Sequence, residues 1–419
     1  MSDTPRLPVE DAINRILASV PRLPTEDVPL RGVVGRVLAE QIDAAYTHPA
    51  WRNSAMDGYA VHADDVRGAT AESPVSLLVG GTIAAGDTAP ASIPSGCAWR
   101  IMTGAQVPDN IDTVIRVEDT DAGLERVLIS NSRDVERNIR PSGEDFRAGH
   151  RLMAYGTVLR PAHVGLVAAN GRRTLAVIRK PRVAILTSGN ELVDVDQFDD
   201  VLLGRRIINT NAYALAAAVQ EAGGVPIPLG IAADDPAAIA ERITTAPEFD
   251  VLVTSGGISV GAFDHTRDVV QRLGATLDFW RVRMRPGGPF GFGMLGTRPW
   301  FGLPGNPVSA MVTFEVFVRP ALRFMSVHLP LWRTPLEVTL GDPVTTSGGL
   351  THFLRVVVDD DRVARLTGPQ GSGLLTSMMI ANALLIVPHD VPYLAAGATA
   401  QAMLLHPGSY PQPAVAWKY

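Results

Sequence analysis

Between Arg182 and about residue 310, the sequence alternates short apolar runs with segments of helical periodicity. The runs RVAILTSG, VPIPLGI and VLVTSGG are separated by NTNAYALAAAVQEAGG and DPAAIAERITTA. Apolar strands of this kind need both faces covered, because the connecting helices pack on both sides of a parallel sheet. The alternation predicts a three-layer α/β domain with a mostly parallel sheet. Asp235 is predicted to cap one helix, with Pro236 at its first position.

The sequence on either side of this region has a different pattern of apolar and polar residues. The chain has 419 residues, which is too long for a single hydrophobic core, so more than one domain is expected. Residues 44–140 contain short apolar runs broken by Gly, Pro and Asp, which predicts an inserted β-rich domain. Segments 1–43 and 141–178 are predicted to form one N-terminal domain that begins with an amphipathic helix. The α/β domain is assigned to residues 179–328. The runs LEVTL, FLRVVV and ALLIVP predict a small all-β domain over residues 329–419.

Composition excludes several classes of function. The net charge of −6 and the pI near 5.9 argue against a nucleic-acid partner. No apolar run approaches the roughly 18 residues of a membrane span, and no signal peptide is predicted. Cys97 is the single cysteine, which is typical of a reducing cytoplasm. Only Lys180 and Lys418 among the 37 basic residues are lysines, so arginine supplies almost all of the positive charge.

Glycines and polar side chains follow the predicted strands where each strand ends. The carboxyl ends of parallel strands meet at one edge of a sheet, and ligands bind in the crevice beyond that edge. The loops concerned contain the residues Ser188, Glu191, Asp234, Gly256, Gly257, Ser259, Asp264, Pro304, Gly305 and Pro307.

These strand ends predict a site for a phosphate and a hard cation. Glycines allow the backbone to approach an anion closely, and a helix start adds favourable electrostatics. Carboxylates beside an anion require a cation between them, and Glu191, Asp234 and Asp264 are oxygen ligands of the kind that Mg²⁺ uses with a substrate phosphate. For any single loop the alternative is an ordinary strand-to-helix turn with an N-cap.

Several familiar sites are absent from the sequence. The first strand lacks the G-x-G-x-x-G turn of a dinucleotide-binding fold, and no G-x-x-x-x-G-K-[ST] phosphate loop occurs. No G-x-S-x-G turn accompanies a plausible Asp and His order, and the nine histidines show no metal-ligand spacing. A dehydrogenase, a P-loop NTPase and a serine hydrolase are therefore disfavoured.

The chain closely resembles the molybdopterin molybdenumtransferase family, which includes MoeA and the E domain of gephyrin. Five motifs carry the likeness: NSAMDGYAV at 53–61, RIMTGAQVPDNIDTVIRVED at 100–119, NIRPSGED at 138–145, TSGGISVGAFDHT at 254–266 and GLPGNPVSA at 302–310. The resemblance implies an elongated N-terminal domain with a β insertion, a molybdopterin-binding α/β domain and a C-terminal β-barrel. It also implies a homodimer whose active site is shared between subunits.

The implied reaction is the Mg²⁺-dependent insertion of molybdenum from molybdate into adenylated molybdopterin, with release of AMP. This is a late step of molybdenum cofactor biosynthesis. Position in the motifs assigns catalytic and metal-binding roles to Asp57, Glu191, Asp234 and Asp264. The predicted substrate-binding residues are Thr103, Gly104, Asp145, Ser188, Gly256, Gly257, Ser259, Arg281, Arg285, Pro304, Gly305, Pro307, Arg355 and Ser372. For Asp57 the alternative is a hairpin with Asp-Gly as its turn. For Thr103 and Gly104 the alternative is a plain turn, for Asp145 it is a helix or turn cap, and for the arginines of residues 281–285 it is a solvated face.

The sequence departs from the family pattern at two places. Where the family has a lysine-rich segment, this chain reads RVRMRPGGP, and Arg281, Arg283 and Arg285 are predicted to alternate on a strand and form an anion-binding face. Gly288 has no charge, so that one substrate contact is either lost or supplied by Arg283. Asn190 stands where the family often has an acid.

Two other functions are weighed against molybdenum insertion. Molybdopterin adenylyl transfer uses the same α/β domain, but it would not need the NSAMDGYAV insertion or the β tail. A gephyrin-like scaffold would require an additional partner-binding region. The molybdopterin adenylyltransferase itself is a candidate partner. Tungstate in place of molybdate stays open, because the two oxyanions are nearly isosteric.

Overall fold

The computed structural model describes residues 6–257 and 265–406, and Ser259 and Asp264 lie outside them. The N-terminal elements are α1 Val9–Ser19, β1 Thr25–Pro29, β2 Ile42–Asp43, β3 Asn53–Ser54, β4 Gly58–Val61, α2 Ala63–Val66, β5 Val75–Ile83, β6 Cys97–Ile101, β7 Thr113–Arg116, β8 Arg126–Ile129, β9 Ile139–Arg140, β10 Arg151–Met153, α3 Pro161–Ala169 and β11 Thr174–Ile178.

The central elements are β12 Arg182–Ser188, β13 Leu192–Val193, α4 Phe198–Leu202, β14 Ile207–Ile208, α5 Thr210–Glu221, β15 Val225–Ala232, α6 Pro236–Thr244, β16 Val251–Ser255, α7 His265–Arg272, β17 Ala275–Trp280, β18 Met284–Arg285, β19 Gly291–Leu295, β20 Arg298–Leu303, α8 Pro307–Thr313 and α9 Arg319–Met325. A π-helical stretch, Phe314–Val318, joins α8 to α9. The C-terminal elements are β21 Pro335–Leu340, β22 Val344–Thr345, β23 Thr351–Val358, β24 Val363–Leu366, α10 Leu375–Ile380, β25 Ala383–Val387, β26 Tyr393–Leu394 and β27 Thr399–Leu404.

The chain divides into two compact units. The larger contains residues up to 39, 156–160 and those from 174 onward, and the smaller contains residues 40–155 and 161–173. The four-domain division predicted from the sequence is finer than this and stays a prediction. In the described part of the chain, no helix has the length and apolarity that a membrane crossing requires.

The larger unit contains the predicted three-layer α/β domain. Its sheet has the order β15-β12-β16-β20-β19-β17, in which the first four strands are parallel and β19 is antiparallel to both of its neighbours, β20 and β17. Successive residues of β12 face opposite layers: Val183 and Ile185 pack with α5 and α8, whereas Ala184 and Leu186 pack with α6 and α7. This alternation explains why β12 is apolar throughout, and the predicted α/β fold is confirmed.

A closed five-strand barrel forms the C-terminal part of the larger unit. Its strands follow the order β23-β24-β21-β27-β25, and β25 pairs back to β23. A separate apolar core fills the interior of this ring, and β18 pairs with β23 outside it. The predicted C-terminal β-barrel is confirmed.

The smaller unit is built on a five-stranded sheet with the order β7-β4-β6-β5-β8. Its short strands pair β2 with β10 and β3 with β9. In NSAMDGYAV, β3 pairs with β9 while β4 pairs with β6 and β7. The two strands of that motif therefore do not form a hairpin with each other.

Candidate functional site

A cavity of about 500 Å³ lies in the larger unit beyond the carboxyl ends of β12, β15, β16 and β20. The structure brings eight of the predicted residues to its wall: Ser188, Glu191, Asp234, Gly256, Gly257, Pro304, Gly305 and Pro307. Among the described residues of this wall, Glu191 and Asp234 are the charged ones. We call this space the acidic cavity.

The paired glycines at the end of β16 are required by backbone geometry. Gly256 has φ +92° and Gly257 has φ +62°, in the region that L side chains rarely adopt. A Cβ atom at Gly256 would lie 2.5 Å from the carbonyl oxygen of Ser188, and one at Gly257 would lie 2.5 Å from Oγ1 of Thr266. The N–H of Gly256 donates to the carbonyl of Leu303 at 3.2 Å, so this turn closes against its neighbours.

The two acids of the acidic cavity are held differently. The carboxylate of Glu191 folds over Gly189, where a Cβ atom would lie 2.7 Å from either of its oxygens. Asp234 and Asn190 form a reciprocal pair: the Asn190 N–H donates to Oδ2 of Asp234 at 3.0 Å, and the Asp234 N–H donates to Oδ1 of Asn190 at 3.2 Å. Asn190 thus joins two loops without adding a second charge beside Asp234.

A buried hydrogen-bond network beneath the acidic cavity was missed by the sequence analysis. Nδ2 of Asn211 donates to Oγ of Ser255 and to the carbonyl of Gly305, each at 2.8 Å. Oγ of Ser255 donates to the carbonyl of Pro304 at 3.0 Å. Asn209 caps α5 by accepting from the Ala212 N–H. The letters N-T-N before a helical run signal this cap, but not the contacts of Asn211 with distant loops.

A second cavity, of about 570 Å³, shares Pro289, Asn306 and Ser309 with the acidic cavity. Its charged wall residues in the described part of the chain are Arg6, Arg281 and Arg285, and no carboxylate lies among them. Ser372 also lies in this wall, and its carbonyl accepts from the Val308 N–H at 3.0 Å. We call this space the arginine cavity.

The prediction that Arg281, Arg283 and Arg285 alternate on one strand is wrong. Arg281 has φ +88°, and β18 begins only at Met284. The burial still alternates, because Val282 and Met284 point into the core. Arg281 and Arg285 reach the arginine cavity, whereas Arg283 is not part of its wall.

In the smaller unit, Asp57 and Thr103 are in direct contact. Oδ1 of Asp57 accepts from the Thr103 N–H at 2.7 Å and from its hydroxyl at 2.8 Å. Gly104, with φ +84°, shapes this turn, and its N–H donates to the carbonyl of Ser54. The backbone bond and then the hydroxyl bond lower the pKa of Asp57 below its usual value. The exposed carboxylate is therefore kept ionised.

Asp145 lies in the loop after β9 and is exposed. Its backbone N–H donates to the carbonyl of His48 at 3.2 Å. Within the described ranges, no hydrogen bond joins its carboxylate to Asp57 or Thr103. The role assigned to Asp145 stays a prediction.

Comparison with known proteins supplies the family. Residues 7–171 match the description "MoeA N-terminal region (domain I and II)", residues 184–323 match "Probable molybdopterin binding domain", and residues 337–405 match "MoeA C-terminal region (domain IV)". The chain is 38% identical over 384 residues to molybdopterin molybdenumtransferase 2 of Mycobacterium tuberculosis, covering 89% of this chain and 93% of that one.

A relative from Nostoc, named molybdopterin molybdenumtransferase, is 35% identical over 410 residues, with 94% of this chain and 93% of the relative covered. The chain belongs to the molybdopterin molybdenumtransferase family. A crystal structure of the molybdopterin biosynthesis moeA protein from Pyrococcus horikoshii OT3 superposes with a TM-score of 0.80 at 29% identity. It covers 96% of this chain and all of that chain.

Arg355 differs from the other predicted substrate-binding residues of this family member. Its side chain is 0% exposed, and its guanidinium donates to Oγ of Ser377 and to the carbonyls of Pro369, Gln370 and Gly371. It lies outside the walls of the acidic and arginine cavities. These bonds hold Gln370 and Gly371, which line the arginine cavity, and Arg355 lines a neighbouring cavity of about 410 Å³ together with Arg285. The substrate-binding role assigned to Arg355 stays a prediction.

Replacing Thr103 by alanine is expected to raise the pKa of Asp57 toward its ordinary value. The change removes the hydroxyl donor, while the backbone N–H remains as the larger cause of the lowered pKa. Because the pKa of Asp57 is lower in the folded state, the ionised carboxylate stabilises the fold at pH values above the unfolded-state pKa. This stabilisation is lost as the pH falls through the folded-state pKa. The variant, with a higher folded-state pKa, should therefore lose its Asp57 contacts at a higher pH than wild type. Carboxyl ¹³C NMR titration measures this. An unchanged pKa would show that the hydroxyl does not act on Asp57.

Proposed function

We propose that this protein inserts molybdenum from molybdate into adenylated molybdopterin and releases AMP, a late step of molybdenum cofactor biosynthesis. The observation that carries the proposal is the pair of adjoining cavities of opposite charge in the larger unit. The family relatives named molybdopterin molybdenumtransferase support the same reaction class. A substrate with both a phosphate chain and an oxyanion partner needs both environments.

The arginine cavity is suited to a tetrahedral oxyanion. Guanidinium groups donate paired hydrogen bonds to such anions, and three of them line this space. Gln370 and Ser372 add neutral polar groups to the same wall. We assign molybdate, or the phosphate of the pterin, to this cavity.

The acidic cavity is suited to a hard cation and the phosphates that it accompanies. Mg²⁺ is held by one or two carboxylates together with substrate phosphates, and Glu191 and Asp234 supply such carboxylates. Among residues 6–257 and 265–406, no three His, Cys, Asp or Glu side chains form a metal cluster by themselves. We propose that Glu191 and Asp234, with Asp264 from outside those ranges, hold Mg²⁺. When bound, Mg²⁺ would neutralise charge that develops on the phosphate oxygens.

The remaining wall residues hold the substrate and shape the space. The turn at Gly256 and Gly257 leaves room for the substrate at the strand end, because no side chain projects there. The network of Asn211 and Ser255 fixes the Pro304–Gly305 turn against β16. Rigid placement of this kind lowers the entropic cost of bringing two reactants together.

We further propose a homodimer in which Asp57 and Thr103 of one subunit face the cavities of the partner subunit. What supports this is that the predicted catalytic acids are distributed over two compact units. The molybdopterin adenylyltransferase is proposed as the partner that delivers the adenylated substrate.

AMP release is expected only when molybdate and Mg²⁺ are both added to the protein with adenylated molybdopterin. The measurement is AMP by chromatography, with sulfate in place of molybdate as the control for charge and shape. AMP release at the same rate without molybdate would indicate a plain hydrolase. Formation of adenylated molybdopterin from ATP would support an adenylyltransferase instead.

A further inference from the structure

Arg6 reaches the arginine cavity through a backbone bridge that the sequence does not reveal. The Leu7 N–H donates to the carbonyl of Arg281 at 3.2 Å, and the Arg283 N–H donates to the carbonyl of Leu7 at 2.7 Å. Leu7 and Val282 form a parallel bridge. Leu7 therefore lies beside residues 281–283, and its neighbour Arg6 lines the same wall as Arg281 and Arg285.

This placement is anchored by packing. Leu7 packs against the main apolar core, in which Ala12 and Ile16 of α1 and Val282 and Met284 of the neighbouring segment are all buried. The backbone on the C-terminal side of Arg6 is thus fixed, and only its side chain needs to be ordered by a ligand. Less entropy is lost on binding when the backbone is already held.

The charges of the cavity wall are uncompensated within the described residues. No salt bridge there involves Arg6, Arg281 or Arg285, and the wall contains no carboxylate. Gly288 lies in the same wall without a charge. Arg283 does not line the cavity.

We propose that Arg6 supplies the third positive charge of the arginine cavity. The inference rests on the proposed function, because it assumes that this cavity binds a substrate oxyanion. The ligand chemistry is a tetrahedral dianion, which molybdate and a phosphate group share. Three guanidinium groups offer more donors than two, and the added charge strengthens binding most at low salt.

The test is calorimetric titration of the full-length protein with molybdate and, separately, with inorganic phosphate at low ionic strength. Arg6→Gln is expected to weaken anion binding about five- to tenfold, because it removes one charge-assisted hydrogen bond to a dianion. Arg283→Gln is the matched control, since it removes an arginine from the same bridge outside the cavity wall, and it should change binding less than about twofold. Arg6→Lys should retain most of the affinity, because it keeps the charge. A loss with only one of the two anions would identify which of them the cavity takes.

A rescue variant separates charge from structure. Gly288 has no positive φ, and a Cβ atom there would lie 3.2 Å from the carbonyl oxygen of Met284 and 3.5 Å from that of Val282, so the backbone at Met284 must shift by a few tenths of an ångström. Gly288→Ala in the Arg6→Gln protein is the control for this shift. Gly288→Lys in the Arg6→Gln protein is expected to restore affinity to within about twofold of wild type. A purely structural role for Arg6 would leave the double variant as weak as the single one.

The outcomes distinguish this inference from the proposed function. If Arg285→Gln weakens anion binding and Arg6→Gln does not, the role of Arg6 is overturned while the cavity keeps its function. Equal losses for Arg6→Gln and Arg283→Gln would also overturn it, since a non-specific charge effect would explain both. If the wild-type protein binds neither anion, the proposed function of the cavity fails and the inference falls with it.

Discussion

Mixing two inactive variants, one carrying only Asp57→Ala and the other only Glu191→Ala, is expected to restore activity. In the proposed homodimer, each site combines Asp57 of one subunit with Glu191 of its partner. A heterodimer then places both lesions in one site and leaves the other site intact. With random exchange, half of the dimers are mixed and half of their sites are intact, so about a quarter of wild-type activity should return.

The matched control uses two lesions from one cavity. Glu191 and Asp234 both line the acidic cavity of the larger unit. A mixture of Glu191→Ala and Asp234→Ala subunits has one lesion in every site, so it should stay inactive. Heterodimers are confirmed by native mass spectrometry of differently tagged subunits. Inactive mixtures of Asp57→Ala with Glu191→Ala, despite proven heterodimers, would show that each site is built within one chain.

Replacing Gly256 by alanine is expected to reduce turnover at least about a hundredfold, the scale of a misplacement near 1 Å in a catalytic site. The new Cβ would lie 2.5 Å from the carbonyl oxygen of Ser188, a backbone atom of the neighbouring strand that cannot swing away. The turn must therefore move, and it carries Gly257 and the wall of the acidic cavity with it. Steady-state AMP release measures the effect.

Gly296→Ala is the control for backbone strain. Gly296 has φ +62° in the turn between β19 and β20, and no atom lies within 4 Å of a Cβ placed there. Both substitutions carry the cost of a left-handed alanine, about 1 kcal/mol of folding free energy, but only Gly256→Ala creates a clash at the cavity. Equal losses of turnover in the two variants would attribute the effect to general destabilisation.

Local chemistry made part of the site predictable. Asp235 accepts from the Ala238 N–H as the cap of α6, with Pro236 at the first helical position, as the sequence predicted. Capping depends on residues within one turn, so it is readable from adjacent letters. The strand ends that carry Ser188, Asp234 and Gly256 were found for a similar reason, since the direction of parallel strands places them at one edge.

Other features depended on contacts between distant segments. Asn211 bonds to Gly305, and Arg355 holds the carbonyls of residues 369–371. Neither the residue type nor its spacing in the sequence predicts such a contact. The arginine strand was wrong because periodicity describes burial, while the φ of Arg281 is set by the segments that pack around it.

By itself, the sequence determined the layered α/β fold, the barrel, the capped helices and the family, because periodicity, turn chemistry and motif order are local properties of the chain. Only the tertiary structure decided which charges share a cavity. It placed Arg6 and Arg285 in the wall of one cavity, left Arg283 outside that wall and placed Glu191 and Asp234 in the wall of the adjoining cavity. The physical reason is that electrostatic interactions depend on distance in space and are screened beyond about 8–10 Å in salt, whereas the residues that interact lie hundreds of positions apart along the chain.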